Sequence, residues 1–218
     1  MIKIENLKVY NTARAIYSAR NAWESWDKSD SDLENDVVGE NDLALMKKLY
    51  KAGPEHAKFM RQIFVSFDVT APLYWWKEMD QYRIGVTSNS CSTMHTIHKR
   101  DLTVDDFSHE HLVKPALERL QNLLTDLNEV RCAYVNYDNW DEREDFEKQG
   151  YKKKDLWWQI VQLLPSSYNQ RRTLTMSYAN LSNIVNQRKN HKLDEWRIFV
   201  DYMLKNAPFL KDIMGVEG

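Results

Sequence analysis

The sequence predicts an α+β fold, with several helices on a mixed sheet of few strands, in one domain spanning residues 1–218. Three observations carry this. Six Gly and five Pro in 218 residues are too few for collagen-like, low-complexity or turn-dense all-β chains. About six segments have helical periodicity and two alternate as strands, without the strand–helix–strand rhythm of a doubly wound sheet. No internal repeat and no Ser/Gly/Pro linker divides the chain, and a domain of this length buries most of its apolar surface.

Taken in order, Ile2 to Tyr10 alternates as a strand, and Asn11 is placed to cap a helix over TARAIYSARNAW. The next segment, WDKSDSDLENDVVGEND, holds seven acids between Glu24 and Glu40 against Lys28 alone and reads as a solvated loop. Its Asp30, Asp32 and Glu34 alternate as in a calcium loop, but Asn35 and Asn41 stand where such a loop needs Gly and Glu, so no metal is expected. From Asn41 a helix places Leu45, Met46, Leu49 and Tyr50 on one face, and Gly53-Pro54 stop it. Ile63, Val65, Phe67, Val69 and Ala71 alternate strictly with polar or aromatic neighbours, which predicts a strand. Pro72 suits the first turn of a helix through LYWWKEMDQYRI, and Gly85 opens a polar loop, VTSNSCSTMHT. Leu117, Leu120, Leu124 and Leu127 mark an amphipathic helix from Pro115, and NYDNWDEREDFEKQGYKKKD reads as a charged connection. Helices follow at 156–164, around 176–188 and at 194–205. In the last, Trp196, Phe199, Val200, Met203 and Leu204 form a buried stripe.

Composition narrows the function. Thirty basic and 32 acidic residues give a net charge of −2, so no global field favours nucleic acid. No apolar stretch approaches the roughly 20 residues of a membrane span, and the start, MIKIENLKVYNTARAI, resembles neither a secretory signal nor a transit peptide. Two cysteines, Cys91 and Cys132, exclude a disulfide framework and fit a reducing cytoplasm, the compartment expected. Eight Trp, eleven Tyr and seven Phe supply core packing and point to stacking surfaces or large interfaces.

Standard nucleotide and hydrolase motifs are absent: there is no G-x-G-x-x-G, P-loop, G-x-S-x-G or C-x-x-C. His95, His98, His109 and His111 lack a carboxylate at metal-motif spacing and read as surface or loop histidines. Between Pro54 and His98 a strand feeds a helix that ends in Arg83-Ile84-Gly85 and a loop of hydroxyls and amides. Such a place suits a phosphate or a pyrimidine edge, and it equally suits an ordinary helix end whose dipole Arg83 complements.

The stretch PEHAKFMRQIFVSFDVTAPLYWWKEMDQYRIGVTSNSCSTMH resembles the flavin-dependent thymidylate synthases, whose segment runs Glu-His, an alternating strand, Ala-Pro, a helix, then RHRxxSxNExSxRY. Glu55-His56 and Ala71-Pro72 match. Arg83 falls on the last Arg of Arg-His-Arg, and with one inserted residue Asn89 and Ser92 match the family's Asn and Ser. LLPSSYNQRRTLTMSYANLSNIVNQRKNHKLDEW resembles the family's second block, Leu-Pro followed by a helix with Asn and then Arg five residues on, here Asn183 and Arg188. The two blocks cover about a third of the chain. The pattern is broken where Gln81 and Tyr82 replace Arg-His, Ser90 replaces Glu, Met94 replaces Arg, and Ser177 and Ala179 stand for Asn-x-Arg.

The resemblance implies a flavin-dependent thymidylate synthase-like fold and an enzyme that methylates dUMP to dTMP. FAD would be its cofactor, NADPH and methylenetetrahydrofolate its co-substrates, and a homotetramer its assembly. Carried over residue by residue, Arg188 and Ser92 take catalytic roles, Arg188 at the pyrimidine edge. Tyr82, Arg83, Asn89, Ser177 and Asn183 fall on flavin-contact positions, and Glu78, Gln81, Ser90, Cys91, Ser92 and Arg188 on substrate-contact positions. Lys77, Arg171 or Arg172 would replace lost cations, and Gln162 a lost polar contact. The alternative is a diverged relative that binds nucleotide or flavin without making dTMP, or that acts on another pyrimidine nucleotide.

Overall fold

The computed structural model describes residues 1–216. Four strands, β1 (Lys3–Tyr10), β2 (Phe64–Pro72), β3 (Val86–Ser90) and β4 (Asn169–Ser177), form one sheet in the order β1-β2-β4-β3. The helices are α1 (Thr12–Ala19), α2 (Glu40–Lys51), α3 (Leu73–Met79), α4 (Thr93–Thr96), α5 (Lys114–Val135), α6 (Arg143–Lys148), α7 (Lys153–Leu163), α8 (Tyr178–Arg188), α9 (Asp194–Asn206) and α10 (Leu210–Met214). The α+β class is the one the sequence predicts, and its sheet is antiparallel, which sharpens the expected mixed sheet. Register follows from side chains on its polar face: Thr173 Oγ1 donates to Asp68 at 2.5 Å and Thr175 Oγ1 to Ser66 Oγ at 3.0 Å.

The chain forms two compact units, residues 2–69, 78–89 and 172 onward in the larger, and Met1, 70–77 and 90–171 in the smaller. In the larger unit the strict alternation of β2 does what it predicts: Ile63, Val65, Phe67 and Val69 are all buried. They join a core with Ile16, Met46, Leu174, Met176, Trp196, Phe199 and Met203. Trp196 and Phe199 stack edge to face at 5.8 Å, as α9's buried stripe requires. The smaller unit has its own core, in which α5 packs along α7 through Leu120, Leu124, Leu127 and Ile160, closed by Ile97, Leu102 and Phe107.

Several local expectations are corrected. Asn11 adopts φ 67° and makes no cap; its side-chain amide donates to the Gln62 carbonyl instead. Pro72 ends β2, and α3 starts at Leu73. Residues 86–90 of the expected polar loop are the edge strand β3, whose exposed Thr and Ser side chains carry no apolar alternation. Residues 169–177, expected to begin a helix near 176, are strand β4, and α8 starts only after Ser177. The charged connection holds α6 and a ladder of rings, Tyr137, Trp140, Phe146 and Tyr151, with Phe146 and Tyr151 stacked at 5.0 Å. There Arg143 and Tyr137 both donate to Glu147 and hold its carboxyl below the usual range.

Candidate functional site

The larger unit brings the two sequence blocks together. Glu78 lies in the last turn of α3, fixed because Trp75, Trp76 and Met79 are buried and set the helix face. A turn follows, in which the Tyr82 N–H donates to the Met79 carbonyl at 3.0 Å. Gly85 closes it with φ 71°, and a Cβ there would meet the Asn180 amide nitrogen at 2.7 Å. That nitrogen donates to the Ile84 carbonyl at 2.9 Å, which ties the turn to the first turn of α8. Ser177 caps α8, its hydroxyl accepting the Asn180 N–H at 3.3 Å. Arg188 ends the helix, where a cation complements the dipole.

There the Arg188 guanidinium is held on several sides. Nη1 donates to Glu78 Oε2 at 2.7 Å and Nε to the Tyr82 hydroxyl at 2.8 Å. The Arg188 Cζ lies 4.7 Å from the Trp196 ring centroid and 5.4 Å from that of Tyr82. Nη2 makes no hydrogen bond among the described residues. Glu78 Oε2 accepts one further donor, the Trp196 indole N–H at 3.0 Å, and His191 Nε2 lies 3.2 Å from the same oxygen. His191 Nδ1 accepts the Leu193 N–H, which places the ring's proton on Nε2, facing Glu78. Tyr82 in turn donates to Gln187 Oε1 at 2.9 Å, and Gln187 donates to Asn183 Oδ1 at 3.0 Å. Arg188 and Glu78 are partly buried, 15% and 29% exposed, and their pair is reachable from solvent.

Of the residues singled out from sequence, this cluster therefore joins Glu78, Tyr82, Arg188 and, through Gln187, Asn183. Ser177 is the cap of α8. Arg83 is exposed, its Nε on the Asp80 carbonyl at 3.2 Å; Gln81 and Asn89 are exposed and make no side-chain hydrogen bond among the described residues. Arg172, offered as a replacement cation, donates to the Asp80 carboxylate at 2.7 Å and is committed there. In the smaller unit Ser90, Cys91 and Ser92 lie on the segment that leaves β3. The Cys91 N–H donates to the Arg171 carbonyl, and Gln170 Nε2 donates to the Cys91 carbonyl at 3.0 Å. The Cys91 thiol is exposed, 3.9 Å from the Thr96 hydroxyl, and Thr96 donates to the Ser92 carbonyl at 2.7 Å.

Sequence reasoning missed His191 and Gln187, and assigned Trp196 to the core alone. Trp196 is fully buried, yet its N–H is spent on Glu78. The available signal was spacing: Gln187 precedes Arg188, and His191 and Trp196 follow three and eight residues after it.

A second concavity in the larger unit, about 440 Å³, has Pro54, Ala57 and Met60 as its apolar floor and Tyr50, Asn183, Asn186 and Arg61 among its polar lining. Asn186 Nδ2 donates to the Tyr50 hydroxyl at 3.3 Å. Among the described residues no three His, Cys, Asp or Glu side chains are grouped to hold a metal ion, and no helix is long and apolar enough to cross a membrane.

No protein-family profile matches the chain, and no curated protein matches it in sequence. Solved structures do. A crystal structure of thymidylate synthase X from Helicobacter pylori with FAD and dUMP superposes with a TM-score of 0.65 over 98% of this chain and 97% of that one, at 15% identity. A second, of the flavin-dependent thymidylate synthase from the same organism complexed with FAD and dUMP, gives 0.63 over 98% and 96%, also at 15% identity. The chain has the fold of these enzymes.

Proposed function

We propose that the chain is a flavin-dependent thymidylate synthase-like enzyme that binds FAD and converts dUMP to dTMP with methylenetetrahydrofolate and NADPH, working as a homotetramer. The likeness in fold over 98% of the chain to an enzyme holding FAD and dUMP carries the reading. The clamped guanidinium of Arg188 supports it, because both sequence blocks of the resemblance converge on that one group.

The 440 Å³ concavity fits a flat heteroaromatic ring: an apolar floor takes a ring face, and amides and a phenol meet an edge that both donates and accepts. Tyr82, Arg83, Asn89, Ser177 and Asn183 are the residues assigned to FAD, which when bound supplies the hydride chemistry. Glu78, Gln81, Ser90, Cys91 and Ser92 are assigned to the nucleotide. Arg188 acts as a fork of fixed orientation, since Glu78, Tyr82 and Trp196 already restrain it. A donor so held meets negative charge developing at a pyrimidine carbonyl without reorganising. Ser92 is assigned a supporting contact to the same substrate.

The visible absorption spectrum of the purified protein after incubation with FAD, followed by single-turnover oxidation of the reduced flavin with dUMP and the folate, tests this. A flavin spectrum and dUMP-dependent oxidation are expected; a protein that takes up no FAD overturns the reading. Uptake without dUMP-dependent oxidation selects the second reading, a binding protein of the same fold. That reading draws on Gln81 and Tyr82 at positions where the family carries cations and on the commitment of Arg172 to Asp80.

A further inference from the structure

A chain of hydrogen bonds runs from the Arg188 fork to Asn183, which lines the 440 Å³ concavity, and its direction is fixed at the arginine end. Arg188 Nε carries a hydrogen and no acceptor, so at 2.8 Å it donates to the Tyr82 oxygen. The Tyr82 proton is then spent on the 2.9 Å bond to Gln187, which must turn Oε1 to receive it. That orientation leaves Gln187 Nε2 to donate at 3.0 Å, and Asn183, four residues earlier on the same face of α8, answers with Oδ1. A flipped Gln187 would strand the Tyr82 proton and set two N–H groups against one oxygen. Asn183 Nδ2 makes no hydrogen bond among the described residues, so what Asn183 offers a ligand is a donor. Asn186, one turn on, shows the difference. Its Nδ2 donates to the Tyr50 hydroxyl at 3.3 Å, but a hydroxyl donates as readily as it accepts, so that amide can turn over.

We propose that Gln187 is a positioning residue: it holds Asn183 as a donor toward the occupant of the concavity and couples that occupant to the ligand of the Arg188 fork. The inference rests on the reading above, with flavin in the concavity and the nucleotide at Arg188. A ligand acceptor on Asn183 Nδ2 polarises the chain in the direction it already runs, which strengthens the hold of Tyr82 on Arg188 Nε. Because Gln187 and Asn183 are exposed, an occupant also removes the water that competes for these bonds. Arg188 is then better fixed for the nucleotide, and by linkage the nucleotide favours the flavin to the same extent. A ring edge that presents a donor at this point meets N–H with N–H and is rejected.

The test uses the full chain with FAD and dUMP as probes. The dissociation constant of FAD is read from quenching of its emission, alone and with saturating dUMP, and that of dUMP by calorimetry, with and without FAD. Each ligand should tighten the other by one common factor, about fivefold or more. Gln187→Leu should bring that factor below about twofold while leaving the affinity for either ligand alone within about threefold. A residue that only supports the helix surface would move the separate affinities or the stability and leave the factor alone. Gln187→Glu should not restore the factor, since a carboxylate accepts from Tyr82 but has no hydrogen for Asn183. Tyr82→Phe cuts the same chain one bond earlier, so the double variant with Gln187→Leu should lose no more linkage than either single change. Gln187 is exposed, and circular dichroism checks that its variants keep the fold. A wild type that takes up no FAD overturns the enzyme reading and this inference together. Uptake of FAD with a factor near one in wild type, with full linkage kept in Gln187→Leu or Gln187→Glu, or with additive losses in the double variant overturns this inference alone.

Discussion

Two arginine–carboxylate pairs in the larger unit are built from the same chemistry and differ in what they leave over. Arg20 and Asp42 are sealed, 7% and 0% exposed, and the carboxylate is saturated: Oδ1 takes Arg20 Nε and Nη2, Oδ2 takes the hydroxyls of Ser29 at 2.6 Å and Ser31 at 2.5 Å. Arg188 and Glu78 stand half open, with two donors on Oε2 and His191 Nε2 3.2 Å from it, while Oε1 and Arg188 Nη2 have no partner among the described residues. A pair whose polar atoms are consumed by its own chain can only hold the chain together. One that keeps a spare donor beside a spare acceptor, restrained by two aromatic rings, is prepared for a ligand that supplies both.

If that contrast is right, breaking the sealed pair should cost stability and breaking the open pair should cost turnover. Asp42→Ala strands a buried guanidinium and two hydroxyls, and should lower unfolding stability by about 3–5 kcal/mol, read from the urea midpoint at constant slope. For a chain of this size that is a fall in Tm of roughly 6–20 °C. A loss under about 1 kcal/mol would remove the distinction.

Arg188→Ala should do the reverse. Stability should change by less than about 1 kcal/mol, as for a partly exposed pair, while single-turnover flavin oxidation with dUMP and the folate slows by about a hundredfold or more. Arg188→Lys should recover little, because an ammonium cannot replace the planar fork held by Glu78 and Tyr82 together. Equal rates for wild type and both variants would make Arg188 a helix-end residue. Glu78→Gln is the finer cut: the amide oxygen still accepts from Trp196, but the charge that orients the guanidinium is gone. A fall of about tenfold in the same rate, with flavin content unchanged, is expected. An unchanged rate would mean that Tyr82 and Trp196 hold the fork without it.

The sequence made one of these pairs legible and hid the other. Arg188 and Glu78 belong to the blocks that resemble a known family, and both stand where that resemblance assigns ligand contacts, so they could be named before any coordinates. Arg20 and Asp42 lie in the segment that reads as helix, solvated acidic loop and helix. Nothing in the spacing of SDSDLENDVVGEND distinguishes a solvated acid from one, Asp42, that two serines and an arginine enclose, because that closure depends on where the loop returns. The same limit explains the strands. β2 was readable since one face is wholly apolar, whereas β4 shows only Leu174 and Met176 as buried apolar residues beyond Arg171-Arg172, and β3 shows no apolar face. Their pairing is set by the neighbouring strand, through Asp68 with Thr173 and Ser66 with Thr175, a long-range fact absent from local periodicity.

The smallest effect lies at the edge of the sealed region and tests whether its acid loop works by charge or by shape. Asp30 reaches across to the start of α2, its carboxylate accepting the Asn41 N–H at 2.8 Å and the Asp42 N–H at 3.0 Å. The Asn41 bond, joined by that of Asp42 and by the Arg20 charge, holds the Asp30 carboxyl below its usual range against the opposing effect of burial. A carboxyl depressed in the folded state contributes stability that is present above its unfolded value, about 4, and is lost as the pH falls through the folded value. Asp30→Ala should therefore cost about 1 kcal/mol at pH 7, on the scale of a lost helix cap, and that cost should shrink below about pH 4 as the wild-type carboxylate is protonated. Asp30→Asn keeps the acceptor oxygen and should stay within a few tenths of a kcal/mol of wild type at pH 7. Because Asp32, Asp106 and Glu147 are depressed as well, the quantity to follow is the wild-type minus variant difference in urea midpoint, and not the wild-type curve alone. A difference for Asp30→Ala that stays constant from neutral to acid pH would mean that the loop caps α2 by shape, with its charge irrelevant to the seal around Asp42.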